Sequence, residues 1–405
     1  MQRNLFLSLI DQIAVSGGNF LTIALGAHFL PIAEQGKLAY CLSAYMATVL
    51  VNVAAVFAVA PVDKHETVAL VCYRLWLFRL QVLLAAAGTA SILVFMWLLG
   101  ARIGWEISLS EAGMLALFLL VQQFADFKRR SAYIFDGAGE ACRASLWTYG
   151  LRVGLLIAFR PASIIEVLAI LACGAVISVL VLASDYVRFA RATCESNEQR
   201  NIMQLHQRLS FWSSLNAPLS WVCFFLPIFA LGAIESEKAA AILASIRSIG
   251  NAANVALELL ETIIPAWFAA AAARYGAADL KNASIRVLLV GTGLWLLGLL
   301  VILALGNPLI EWLLGSAYAS HRNVLLVSWV GSGIHFVSRV VGLHHRSSKN
   351  TKVEFIGTIG GLLGLMPAIP IVDNYGIIGA AWAYVTVPVG IVVAQYIYLK
   401  RRMNV

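Results

Sequence analysis

Long apolar runs, broken at intervals by short charged or turn-rich stretches, dominate the chain. Twelve of them approach or exceed the roughly 20 apolar residues that a helix needs to cross a bilayer. The first six fall at 5–28, 38–61, 76–99, 111–127, 144–160 and 163–184. A polar segment, 185–209, follows, and six more runs lie at 211–233, 239–265, 284–305, 323–343, 353–371 and 376–399. This pattern predicts an all-α polytopic membrane protein of about twelve transmembrane helices arranged as two six-helix bundles. The expected organisation is an N-terminal bundle 1–184, a cytoplasmic linker 185–209 and a C-terminal bundle 210–405.

The polar exceptions inside these runs are the candidate chemistry. In Arg247 to Pro265 the residues Arg247, Asn251, Asn254, Glu258 and Glu261 fall within an arc of about 80° on a helix. An ionisable group facing lipid costs roughly 2.5–3.5 kcal/mol, so this stripe must face protein or a wet cavity. Arg247, about 12 Å below the outer end of its helix, reads either as half of a buried ion pair or as a cavity cation for an anionic substrate. Glu258 and Glu261 lie nearer the inner end, where solvation is cheap; they are otherwise candidates for ion coupling. Arg152 is placed near mid-depth and is a second cavity cation. Arg339, seven residues from Arg346, either snorkels to the interface or lines the cavity. In the first span Gln12, Ser16 and Asn19 share a face with Asp11 beside it, forming either a helix–helix hydrogen-bond seam or a cavity wall. Asp11 is either solvated or takes up a proton or cation. Gly357 with Gly361, and Gly360 with Gly364, form overlapping GxxxG patterns that predict close helix packing. Pro367 and Pro370 in that span, and Pro218 and Pro227 in the seventh, predict bends.

Composition narrows the function classes. The chain is 60% hydrophobic and only 12% charged, against about a quarter charged in soluble domains. No loop has the length to fold as a catalytic domain, and the longest outer segment, Gly306 to Arg322, reads as an interfacial turn. With a cytoplasmic N-terminus and twelve spans, Lys and Arg crowd the inner loops, and only Lys37, Arg102, Arg160, Lys238 and Arg322 fall outside. Both termini are thus expected inside, and the net charge of +8 reads as topology rather than as a nucleic-acid footprint. The six cysteines are scattered without a CxxC pair, and His335, His344 and His345 have no metal-ligand spacing. No cofactor, metal or catalytic residue is expected, and the protein reads as a non-enzyme. Asp11 and Gln12 within the first run argue for a membrane helix there rather than a cleavable signal. The equal spacing of Glu34 to Asn52 and Ser236 to Asn254 adds a weak echo between the halves, as expected of a repeat-built transporter.

Several stretches carry a family likeness. Asp11-Gln12, Ser16, Asn19-Phe20 and Gly36 after a short acidic turn resemble the opening of the polysaccharide-transporter branch of the multidrug/oligosaccharidyl-lipid/polysaccharide exporter (MOP) superfamily, the Wzx-like flippases. Glu235 and Glu237 followed by Arg247-Ser248-Ile249 and Pro265, and the basic Lys128-Arg129-Arg130 after the fourth span, are similar to that group too. The resemblance implies two six-helix bundles forming a V around a cavity that opens alternately to either side of the bacterial cytoplasmic (inner) membrane. It implies an undecaprenyl-pyrophosphate-linked oligosaccharide, an O-antigen or exopolysaccharide repeat unit, as cargo, with the phospholipid bilayer and polysaccharide assembly proteins as partners and no nucleic acid. On that reading Arg247 and Arg152 meet the anionic head, Asn251, Asn254 and Asn19 line the sugar path, Arg339 is a further cavity residue, and Asp11, Glu258 or Glu261 couples to an ion gradient. The alternative within the superfamily is a cation-coupled exporter of small molecules. An intramembrane glycan polymerase or ligase is a third reading, and the missing outer loop argues against it.

Overall fold

The computed structural model describes residues 2–57, 70–100, 102–181, 196–250, 277–347, 350 and 352–403. These residues form helices joined by short connections, with no strand among them. The expected spans reappear as α1 (Gln2–Phe29), α2 (Ile32–Asn52, continued by a π-turn Val53–Phe57), α3 (Leu70–Gly100) and α4 (Leu109–Phe135). The fifth span is α5 (Ala138–Ser145) and α6 (Leu151–Phe159), fused through a π-helical turn Leu146–Gly150. Then come α7 (Ile164–Val181), α8 (Ser196–Ile234), α9 (237–250), α10 (Ala277–Leu314), α11 (Arg322–Ser347), α12 (Lys352–Leu365) and α13 (Ala368–Met403). Seven of the described helices are long and apolar enough to cross a membrane. The protein is an all-helical, polytopic membrane protein, as the run pattern predicts.

Helix ends follow local chemistry. Ser108 caps α4 through a reciprocal capping box with Glu111, each side chain taking the other's backbone N–H. The last span begins at a kink: Gly376 has φ +55°, a conformation that costs glycine nothing, and it divides α13 where the sequence places the start of that span. Leu305 marks a similar break in α10, three residues before Pro308. The segment expected as an interfacial turn is therefore more ordered than that, since helix continues to Leu314 and a 3₁₀ turn, Ser316–His321, leads into α11.

The chain packs as two units, Met1–Thr22 with Cys41–Pro218, and Ile23–Tyr40 with Leu219–Val405. This differs from the expected division in two ways. The end of α1 and the start of α2 belong to the second unit, and the boundary along the chain falls within α8. Residues 196–209, expected in a linker, are the opening turns of that 39-residue helix. Their polarity reads as linker, but His206 explains the order. It is buried, its Nε2–H points to the Ala55 carbonyl, its Nδ1 is 3.3 Å from the Tyr73 hydroxyl, and its ring meets Trp76 edge-on at 4.7 Å.

In the first unit α4 is central, packing on α3, α5 and α7. Val56, Phe57, Cys72, Tyr73, Leu77 and Phe127 form an apolar core beside it. In the second, α13 packs along α11 and α12. Here the GxxxG reading holds: a Cβ on Gly360 would lie 2.3 Å from the Gly390 carbonyl oxygen, and one on Gly390 2.2 Å from that of Gly360. Backbone touches backbone, the means of helix association where lipid removes the hydrophobic drive. Gly360→Leu is expected to lower stability by about 1–3 kcal/mol or more through overpacking. Gly293→Leu, at a site with nothing within 4 Å, is expected to be neutral. Thermal unfolding of both variants in detergent checks this.

Candidate functional site

Buried polar groups concentrate on α4. Gln122, Asp126, Arg129 and Tyr133 follow a 4–3–4 spacing that puts them on one face, within an arc of about 60°. Asp11 on α1 is fully buried against this face. It accepts from Arg129 Nη1 and the Tyr133 hydroxyl, both at 2.8 Å, and from the Ser145 hydroxyl on α5. Asp11 is therefore buried and held by a guanidinium rather than solvated. Lys128 and Arg129, expected in an inner loop after a span ending at 127, are buried in the helix. A run of basic residues looks like a span end, whereas α4 continues to Phe135 because Asp11 neutralises Arg129.

A second cluster adjoins it. Asp126 accepts from the Tyr45 hydroxyl and from Gln122 Nε2, the latter at 3.2 Å. Arg152 is 3% exposed. It donates to Gln122 Oε1 and, at 3.2 Å, to the Leu171 carbonyl on α7, with its guanidinium 5.0 Å from the centre of the Tyr149 ring. Arg152 is thus enclosed in the first unit rather than presented to a cavity. Beyond Asp126, Asn52 Nδ2 donates to Gln123 Oε1 at 3.1 Å, and Gln123 Nε2 donates to Thr89 and to the Leu119 carbonyl. A cavity of about 10 Å³, enough for about one water, lies among Asn52, Gln81, Gln123, Asp126 and Arg130.

In the second unit Arg247 is half-buried on α9. It donates from Nη1 to the Phe224 carbonyl (2.8 Å) and to the Tyr384 hydroxyl (3.2 Å), with its guanidinium 4.1 Å above the Tyr384 ring and 5.1 Å from Phe225. No carboxylate pairs with it among the described residues. His335 lies against Phe224 with ring centres 4.5 Å apart and the rings tilted by 58°, within electrostatic reach of Arg247 and Arg339. Arg339 and Asn19 are exposed. Asn251, Asn254, Glu258 and Glu261 lie outside the described residues. The structure thus brings Arg247 together with His335 and Tyr384, and Asp11 with Arg129; Arg152 joins Asp126 and Gln122. The α4 stripe is absent from the sequence reading, although its 4–3–4 spacing is the signal used for Gln12, Ser16 and Asn19.

Breaking a buried ion pair leaves one charge unpaired, at about 3–5 kcal/mol, whereas removing both partners costs much less. Asp11→Asn alone is expected to destabilise the protein strongly and Asp11→Asn with Arg129→Gln to recover much of the loss, read from unfolding midpoints in detergent.

No family model matches the chain, and no curated protein matches it. Solved structures do, over almost the whole length. A multidrug resistance MATE family transporter of the MOP superfamily in an inward-facing conformation aligns with a TM-score of 0.64 at 15% identity, covering 99% of this chain and 94% of the other. A MOP superfamily transporter from Pyrococcus furiosus, described by a binding pocket of reverse polarity that suggests a different function, aligns at 0.68 and 16%, with coverage of 99% and 94%. A Vibrio cholerae MATE transporter aligns at 0.68 and 13%, with coverage of 98% and 96%. These structures are of transporters rather than enzymes. The described helices, aligned almost end to end with these structures, give this chain the fold seen in the MOP superfamily transporters.

Proposed function

We propose that the protein is a secondary exporter of the multidrug type, moving amphipathic organic molecules out across a bacterial inner membrane by alternating access. The observation that carries this reading is the whole-length likeness to MATE-family structures. Buried polar groups away from any surface fit a carrier that must hold cargo within the bilayer. The charge pattern adds the sign of the cargo. Asp11 is occupied by Arg129 and Asp126 by two hydrogen-bond donors, whereas Arg247 rests on an aromatic shelf with neutral partners. A site of that kind receives an anionic group by charge-assisted hydrogen bonds.

Arg247 also favours a second reading, the flipping of a lipid-linked oligosaccharide, in which the guanidinium meets the pyrophosphate and the lipid tail stays in the bilayer. Asn251, Asn254 and Asn19 would line the sugar path and Glu258 or Glu261 would serve coupling. Both readings use the same arginine and differ in what is left behind when the gene is removed.

Deletion of the gene in its host is expected to raise sensitivity to organic anions with surface polysaccharide intact. Loss of that polysaccharide with lipid-linked repeat units accumulating on the inner leaflet replaces the first reading by the second. In either case Arg247→Ala, expressed at the normal level, is expected to cut transport about 10- to 100-fold, the scale of a lost hydrogen bond to a charged group, with Arg247→Lys falling in between. Transport by Arg247→Ala at the full rate would remove the residue from the site.

A further inference from the structure

Four helices of the second unit converge on Arg247. It stands on α9, its hydrogen-bond partners come from α8 and α13, and His335 of α11 lies beside them. Among the described residues both of its hydrogen bonds leave from Nη1, to the Phe224 carbonyl and the Tyr384 hydroxyl. The opposite edge of the guanidinium, where Nε and Nη2 present parallel N–H donors, carries neither of them. Tyr384 is only 5% exposed, and its ring supports the guanidinium from one side at 4.1 Å. Its place is fixed where α11 meets α13, since a Cβ on Gly331 would collide with the Tyr384 carbonyl. Phe224 and Phe225 are half-buried, so each shows part of its ring beside the arginine.

We propose that the anionic cargo is an aromatic carboxylate, whose carboxylate takes the Nε–Nη2 edge of Arg247 and whose ring lies against Phe224 and Phe225. The inference rests on the exporter reading above and narrows its substrate. A carboxylate is flat and meets a guanidinium edge through two parallel hydrogen bonds. A ring conjugated to that carboxylate continues the same plane, so it runs out between aromatic walls rather than into them. With the Tyr384 ring against its face, the guanidinium is open to a partner in its own plane, which a tetrahedral sulfonate or phosphate fills poorly. One guanidinium also supplies one charge, matching a monoanion. Because the Nη1 bonds and Tyr384 already hold the side chain, its donor edge is set before the ligand arrives and little rotamer freedom is lost on binding.

Titration calorimetry of the purified protein in nanodiscs tests this with naphthoate, its fully saturated counterpart, naphthalenesulfonate and inorganic pyrophosphate. Naphthoate is expected to bind about 3- to 10-fold more tightly than the saturated acid, the scale of an aromatic contact. Over the sulfonate the preference is expected to be about tenfold, the scale of one hydrogen bond to a charged group. Arg247→Lys keeps the charge without the fork, and is expected to lose about tenfold for naphthoate together with the preference over the sulfonate. Phe225→Leu is expected to remove the preference over the saturated acid while leaving the affinity for that acid unchanged, whereas a merely structural role would lower every affinity alike. Unfolding curves in detergent identify a misfolded variant, and the ligand comparison on the unaltered chain decides the matter even if neither variant accumulates. Equal affinity for naphthoate and either analogue, tightest binding of pyrophosphate, or no binding at all overturns the proposal. Export of organic anions in proteoliposomes without regard to the ring also overturns it and leaves the exporter reading standing. Naphthoate bound in the expected order but not moved supports the site while removing the exporter reading.

Discussion

A carboxylate with no exposure, deep among helices, has to be answered by a charge, and in this protein Arg129 answers Asp11. Much of the first unit is arranged around that requirement. Tyr133 and Ser145 complete the carboxylate's hydrogen bonds, which ties α1, α4 and α5 together at one point. The same face of α4 then carries Asp126 and Gln122, and through Gln122 it reaches Arg152. Polar groups that would be expensive in lipid become a framework because each is spent on another helix.

The second unit solves a different problem with different residues. Between α12 and α13 there is close approach, because glycine at 360 and 390 lets the carbonyl of each helix touch the other. A buried ion pair and a glycine contact are two answers to the same constraint, that helices in a bilayer gain nothing from hiding apolar surface from one another.

The apolar runs made the described helices legible, and the kinks at Leu305 and Gly376 sit where two runs end or begin. The glycine pairing was legible as well, since small residues four apart have one common use in a membrane. What escaped is instructive in each case. Lys128-Arg129-Arg130 looks like the end of a span because the partner that makes Arg129 tolerable is 118 positions away. His206 looks like a residue of a solvated linker because Tyr73, Trp76 and Ala55, which enclose it, come from elsewhere in the chain. That residues 23–40 join the later helices depends on tertiary packing alone, and no period or composition marks it. Of the anticipated site, Arg247 is half-buried among neutral partners and Arg152 is enclosed. The lower stripe, from Asn251 to Glu261, lies outside the described residues.

The meeting of α1 and α4 has a consequence for how the chain enters the bilayer. Arg129 stands in α4 and its counter-charge, Asp11, in α1, so the carboxylate is already made when α4 emerges during synthesis. A chain without its first helix would offer Arg129 to lipid alone, at roughly 2.5–3.5 kcal/mol, and the insertion of α4 therefore depends on a helix made more than a hundred residues before it.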